Sequence, residues 1–254
     1  MSLPAGAIAV TLPDGAGEIL PEEVPVALVY DGVTQAVMMA TPADLEDFHL
    51  GFALTEGLIS DPAEVQGVEV LRQPRGIEVR GWLSAPAGAR FIERRRLMAG
   101  PVGCGLCGID SLEQALRPLS RAPAGAAGAG LTPGTAARAL DDLRAGQVLK
   151  DACRATHAAG FWADGAMVAV REDVGRHNAL DKLVGALWRG QVDLAQGAVV
   201  MTSRVSVDLV QKAVLAGAAC LIAPSAPTAL AVEQARAAGL RLIARAGREL
   251  AVYG

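Results

Sequence analysis

Cys104 and Cys107 stand in Gly103-Cys104-Gly105-Leu106-Cys107-Gly108, a CxxC motif flanked and interrupted by glycine. Such a loop leaves both thiols accessible, and a helix starting just beyond it would stabilise the thiolate, which is the reactive form. Several chemistries use this spacing. A structural zinc site asks for four ligands, yet Cys153 and Cys220 form no second CxxC and no histidine pair sits at ligand spacing, so no metal is expected. A zinc deaminase joins Pro-Cys-x-x-Cys to His-x-Glu or Cys-x-Glu, with the glutamate as proton shuttle. Here Pro101 lies two residues too early, His49 is followed by Leu50-Gly51, and Cys153 by Arg154-Ala155. A thioredoxin-like dithiol would follow a strand near the start of a βαβ unit, with two residues between its cysteines that are usually not glycine-rich. Two small buried hydrophobes fit the glycine-rich surroundings poorly. What remains is thiol transfer, in which one cysteine carries a labile sulfur and the other helps release it.

A second constellation runs from Arg171 to Lys182, Arg-Glu-Asp-Val-Gly-Arg-His-Asn-Ala-Leu-Asp-Lys. It falls at the end of a predicted strand and the start of a predicted helix, where open α/β sheets bind their ligands. Backbone amides at the helix start, with Arg176, His177 and Lys182, and with Asn178 beside them, suit a phosphate. A salt-bridged cap around Asp173 is the competing expectation. Thr202-Ser203-Arg204-Val205-Ser206 repeats the arrangement after the next strand; capping explains Ser206 but not Arg204. A third loop, Ile243-Ala244-Arg245-Ala246-Gly247-Arg248, follows the last internal strand. Three arginine-bearing loops would converge on one polyanion if the sheet is parallel there, whereas arginines scattered by chance would not. His49 and His157 have no such company and read as structural.

The elements that must hold these loops follow from periodicity. Val24–Tyr30 and Val33–Ala40 around Asp31-Gly32 predict a β-hairpin, and Val65–Gln73 with Ile77–Leu83 predict another. Between them Leu45, Phe48, Phe52 and Ile59 share one face of a helix expected from Pro42 to about Ile59, capped by Thr41. Ser111–Leu116 has helical composition. The low-complexity stretch 118–133, Ala-, Gly- and Pro-rich, reads as a mobile surface linker. Beyond it strands at Met167–Val170, Ala198–Met201, Cys220–Ile222 and Leu240–Ala244 alternate with helices at Arg176–Trp188, Ser206–Ala216 and Thr228–Ala238. This alternation predicts a layered α/β sheet with helices on its faces. The expected organisation is an α+β portion over 1–117 ending in the cysteine loop, the linker, and an α/β domain over 134–254, with the early hairpins free to join the same unit.

Composition narrows the partners. With 52% hydrophobic and 20% charged residues the chain is globular rather than disordered. The apolar run Ala213–Pro224 falls short of the roughly 18 to 20 residues of a membrane helix, so no membrane partner is expected. No lysine or arginine precedes Arg72, so no secretory signal is readable and a cytoplasmic location is expected. The net charge of −4 conceals an asymmetry: residues 1–71 carry 12 acids and no lysine or arginine, leaving the rest of the chain at +8. A basic remainder suits an anion site. Aromatic residues make up 4%, too few for the stacking platforms of a single-strand nucleic-acid binder, so nucleic acid is not an expected partner.

Taken together these motifs resemble the formate dehydrogenase accessory sulfurtransferase family, the FdhD/NarQ proteins. The resemblance rests on Thr41-Pro42 with Gly51-Phe52 and Glu56-Gly57, on the Cys104–Gly108 motif, on Asp173–Lys182, on Arg204-Val-Ser206, on Ala223–Thr228 and on the tail from Arg245 to Tyr253. It implies a cytidine-deaminase-like α/β fold and a homodimer. It further implies a carrier that takes persulfide sulfur from a cysteine desulfurase and passes it to the molybdenum bis(pyranopterin guanine dinucleotide) cofactor of formate dehydrogenase. That cofactor would be a bound substrate, with a GDP- or GMP-like nucleotide as its mimic. Cys104 would carry the persulfide, Cys107 would assist, and Ile243–Arg248 would hold the cofactor. The rivals are a non-catalytic chaperone of the same cofactor and a redox switch closing a Cys104–Cys107 disulfide.

Overall fold

Asp31 and Gly32 both adopt positive φ, which gives the twist a two-residue hairpin needs. They join β3 (Val24–Tyr30) to β4 (Val33–Ala40) as expected, and the second hairpin, β5 (Val65–Gln73) with β6 (Gly76–Leu83), is also where the sequence placed it. The structure, a computed structural model, describes residues 3–97, 119, 121–123 and 130–254. Cys104, Cys107 and the helix expected over Ser111–Leu116 lie outside the described residues. A small hairpin of β1 (Ala7–Thr11) and β2 (Gly17–Pro21) precedes a four-stranded sheet in the order β4-β3-β6-β5, where β3 and β6 run parallel.

Helix α1 is Leu45–Thr55, shorter at both ends than the periodicity suggested. Asp44 precedes it in the left-handed region, and Thr41 caps nothing because its polar groups are engaged elsewhere. At the other end Gly57 N donates to Leu54 O and Leu58 N to Ala53 O, a Schellman closure that leaves Leu58 and Ile59 buried beyond the helix. Ten of the eleven residues of α1 are buried, Glu46 being the exception, because the helix lies between the four-stranded sheet and a second helix. Phe48 and Phe52 meet Val26, Leu28, Ile77 and Val79 of the sheet in the core. Helix α2 (Ala85–Leu97) follows β6.

The second half places α3 (Pro133–Ala145), α4 (Val148–Cys153), β7 (His157–Ala163), β8 (Ala166–Asp173), α5 (Arg176–Arg189), β9 (Ala198–Met201), α6 (Val207–Leu215), β10 (Cys220–Ile222), α7 (Ala229–Ala238), β11 (Arg241–Ala246) and β12 (Glu249–Val252). Its six-stranded sheet has the order β12-β11-β10-β9-β7-β8, with β9, β10 and β11 parallel. Side chains alternate between faces along each strand. Val199, Met201, Leu221, Leu242 and Ala244 enter the main core with α1, α5, α6 and α7, while Ala198, Val200, Cys220, Ile222 and Ile243 pack with Ala136, Ala139 and Leu143 of α3. Both faces of the sheet are therefore covered, as a mixed α/β fold requires.

The main core is continuous from Val26 to Ala244, and its most extensive helix seam joins α1 to α5 across the expected domain boundary. Part of the stretch expected as a surface linker is docked: Ala122 and Leu131 are buried, and Ala122 N donates to Ala238 O. Residues 124–129 lie outside the description. No helix among the described residues is long and apolar enough to cross a membrane.

Candidate functional site

Because β9, β10 and β11 run parallel, the loops after them open on one edge of the sheet. Strand β7 is antiparallel to β9, and β8 to β7, so the end of β8 and the start of β7 reach that edge too. His157 pairs with Asp173 there, and Thr202 N donates to Ala158 O. Helices α5 and α6 both begin at this edge, behind Gly175 and Ser206, and neither has a side-chain cap. The expected Ser206 cap is not formed. Instead three polar atoms at these two helix starts are buried without a hydrogen-bond partner: Arg176 Nε, His177 Nε2 and Ser206 Oγ. Buried polar atoms almost always find partners, so this grouping makes the edge the candidate site.

His177 has Asp208 Oδ2 at 3.9 Å from Nε2. Burial, together with the positive charges of Arg176 and Lys212, holds its imidazole down to about 4 despite Asp208 and Glu56. Its ring is therefore neutral at pH 7, one nitrogen a donor and the other an acceptor. His157 is lowered in the same direction, chiefly by burial and then by Arg176 and Lys150. Arg204 and Arg248 are exposed on the neighbouring loops. Arg245 is exposed as well, but its Nε donates to Pro224 O at 3.0 Å and its NH1 to Arg248 O at 2.9 Å, tying the loop after β11 to the loop after β10.

Two ion clusters lie beneath the edge. In the first, Asp173 Oδ1 accepts from Gly175 N (2.7 Å) and Asn178 Nδ2 (2.9 Å), while Oδ2 accepts from Thr41 N (3.0 Å) and lies 2.6 Å from Lys182 Nζ. Lys182 Nζ also donates to Thr41 O and Asn178 Nδ2 to Met39 O. In the second, Lys212 Nζ donates to both oxygens of Asp181, to Thr55 Oγ1 and to Glu56 Oε1, all within 3.0 Å. Burial works against that ammonium, but the carboxylates of Asp181 and Glu56 outweigh it and keep Lys212 charged. A third group, Arg171 and Arg189 on Asp47, straps α1 to β8 and α5.

These contacts revise the site read from sequence. Lys182 and Asn178 are buried and committed to Asp173, so they build a salt-bridged cluster around it, as the competing expectation had it, and do not face a ligand. That cluster holds the Gly175 amide ahead of α5 rather than capping the helix with a side chain. Ile243 and Ala244 are fully buried on opposite faces of β11, so only Arg245, Ala246, Gly247 and Arg248 of that segment are exposed. Arg176, His177, Arg204 and Ser206 are brought to one edge with them. Thr41, His157 and Asp208 were missed. Asp164-Gly165, both at positive φ, is the same hairpin signal as Asp31-Gly32 and would have marked β7 and given His157 a strand end, whereas Asp208 read as an ordinary first-turn acid. Cys153 and Cys220 are buried; Cys153 Sγ donates to Leu149 O, and burial pushes the Cys220 thiol up to about 12. Among the described residues no three histidines, cysteines or carboxylates come together as metal ligands.

A sequence profile described as the FdhD/NarQ family matches residues 21–254. The chain is 50% identical over 230 residues to the sulfur carrier protein FdhD of Agrobacterium fabrum, covering 89% of this chain and 83% of that protein. It is 51% identical over 227 residues to the protein of the same name from Brucella abortus, covering 89% and 84%. A crystal structure of a candidate formate dehydrogenase accessory protein from Desulfotalea psychrophila superposes with a TM-score of 0.70 over 98% of this chain and 95% of that one, at 22% identity, and so shares the fold. With a profile match over nearly its whole length and half of the aligned residues shared with such relatives, this chain belongs to the FdhD/NarQ family.

Proposed function

We propose that this chain is a sulfur carrier serving formate dehydrogenase, with Cys104 as the carrier and the sheet edge as the dock for a guanine-dinucleotide molybdenum cofactor. The observation that carries the reading is the near-full-length identity with proteins named sulfur carrier protein FdhD. Two structural facts support its details. Cys153 and Cys220 are buried and unsuited to exchange, which leaves the CxxC pair. The unpartnered atoms of Arg176, His177 and Ser206, with exposed Arg204 and Arg248, suit the phosphates and base of such a substrate.

The first step balances without an external oxidant. Cys104 thiolate attacks the outer sulfur of a cysteine desulfurase persulfide; a new S–S bond forms on Cys104, the donor S–S bond breaks, and the donor cysteine leaves as a thiolate. Delivery ends in one of two ways. The outer sulfur passes directly to the cofactor bound as substrate, the S–S bond breaking with Cys104 leaving as a thiolate and a two-electron-reduced cofactor bringing the sulfur to the sulfide level, or Cys107 thiolate attacks Cys104 and expels the outer sulfur as sulfide. The second route oxidises the two cysteines to a disulfide, which a dithiol reductant reopens.

The test is intact mass measurement of the reduced chain after incubation with a cysteine desulfurase and cysteine. A gain of one sulfur atom, reversed by reductant, is expected. No gain beside an active desulfurase would overturn the carrier reading and leave the cofactor chaperone and the redox switch.

Binding is tested with GDP. Arg204→Ala and Arg248→Ala should each weaken GDP about tenfold, the loss of one solvent-facing charged hydrogen bond. Both side chains are exposed, so thermal stability should change by no more than about 0.5 kcal/mol. Titration calorimetry at fixed ionic strength reads the first and a melting curve the second. Unchanged affinity in both variants would move the site elsewhere.

A further inference from the structure

We infer that Thr41 is a positioning residue for the edge site, its hydroxyl and main chain holding the Asp173–Gly175 turn that presents Arg176 and His177. The inference rests on the reading of this edge as the nucleotide dock. Thr41 follows β4 in the N-terminal half, more than 130 positions from the turn it touches. Three of its atoms are used there. Thr41 Oγ1 accepts from Val174 N at 3.2 Å, its amide donates to Asp173 Oδ2 at 3.0 Å, and its carbonyl accepts from Lys182 Nζ at 2.8 Å. Asp173 Oδ1 in turn accepts from Gly175 N. Both amides that lead into α5 are thus held, one by Thr41 directly and one through a carboxylate that Thr41 and Lys182 fix.

This arrangement has a consequence for the next two residues. Helix α5 has no side-chain cap of its own, so the direction in which its first turn enters the edge is set by the turn before it. Arg176 and His177 carry buried unpartnered atoms, and their readiness for a ligand depends on that direction. The methyl of Thr41 has separate surroundings: a Cβ on Gly6 would lie 2.3 Å from Thr41 Cγ2, so the methyl abuts the residue that precedes β1. Hydroxyl and methyl can therefore be tested apart.

Thr41→Val keeps the shape and the methyl but removes the acceptor of Val174 N. Thr41→Ser keeps the acceptor and loses the methyl. A positioning role predicts that GDP binding falls about tenfold in Thr41→Val and stays within about threefold of wild type in Thr41→Ser. A packing role predicts the reverse order, since the methyl is then what matters. Amide hydrogen exchange of the ligand-free chain provides the second readout. Protection of residues 173–178 should drop selectively in Thr41→Val and persist in Thr41→Ser. Equal GDP affinity and equal protection in all three proteins would overturn the inference, as would a Thr41→Ser variant as weak as Thr41→Val. If the wild-type chain binds no GDP, the nucleotide reading fails while exchange still decides the matter: selective loss in Thr41→Val supports the hold on the turn, and uniform exchange overturns it.

Discussion

Cys104→Ala is expected to abolish sulfur loading altogether, while Cys107→Ala, Cys153→Ala and Cys220→Ala load as the wild type does. The basis is the thiolate each site can supply. A thiol at about 12 is ionised to only about one part in a hundred thousand at neutral pH, so Cys220, enclosed in β10, is inert to a persulfide donor. Cys153 is buried and already donates to Leu149 O from the end of α4. The roles assigned to the two CxxC thiols differ, and the test separates them. Loading followed by mass should vanish in Cys104→Ala alone. Delivery, followed as activation of a sulfur-depleted formate dehydrogenase, should vanish in Cys104→Ala. In Cys107→Ala it should fall sharply if release proceeds through the disulfide and persist if the sulfur passes directly. GDP affinity should be unchanged in all four variants, because none of these cysteines lies among the residues assigned to the dock. Persistent loading of Cys104→Ala would remove Cys104 as the carrier, and parallel loss of GDP binding would contradict the separation of carriage from docking.

The sequence showed what depends on neighbouring residues and concealed what depends on distant ones. Asp31-Gly32 announces a hairpin because only a few residue types tolerate positive φ at both turn positions. Strands β9 and β10 and the helices behind them were legible because continuous apolar runs alternate with helical periods. Thr41 illustrates the opposite case. Before a proline and an apolar face it reads as a helix cap, and nothing local reveals that Asp173, far along the chain, takes its amide. Lys182 and Asn178 were read as ligand-facing because polar residues at a helix start usually face solvent; a buried carboxylate partner is a tertiary fact. Ile243 and Ala244 belong to the same lesson, since the family segment they fall in is strand before it is loop. That the loops carrying Arg176, Arg204 and Arg248 open on one edge of the sheet was readable only conditionally. It depended on strand direction, which the parallel pairing of β9, β10 and β11 supplies.

Gly51→Ala should lower stability by about 3 to 5 kcal/mol, which at this chain length is a fall in melting temperature on the order of 10 °C. Gly51 of α1 faces α5 so closely that a Cβ there would sit 1.7 Å from the carbonyl oxygen of Asp181. Gly185 of α5 returns the approach, its Cβ position lying 1.9 Å from Asp47 O. Neither obstacle is a side chain that could rotate away. Carbon and oxygen settle at about 3.3 Å at the closest, so the helices would have to part by roughly 1.5 Å. The gain in helix propensity from glycine to alanine, about 1 kcal/mol, is too small to offset this. Parting the helices also stretches the bond from Thr55 Oγ1 to Asp181 Oδ1, now 2.7 Å, and loosens the hold of Lys212 on both. Lys212 belongs to α6, whose first turn lies behind Ser206 at the edge. Gly51→Ala should therefore lose GDP affinity as well as stability, although it touches no residue of the dock. Gly134→Ala is the control: it is exposed in α3 and its Cβ would meet only Thr132 Oγ1, at an ordinary 3.7 Å, so it should be neutral or slightly stabilising. A Gly51→Ala variant that melts with the wild type would mean that the α1–α5 seam yields without cost, and the expected loss of GDP affinity would lose its basis with it.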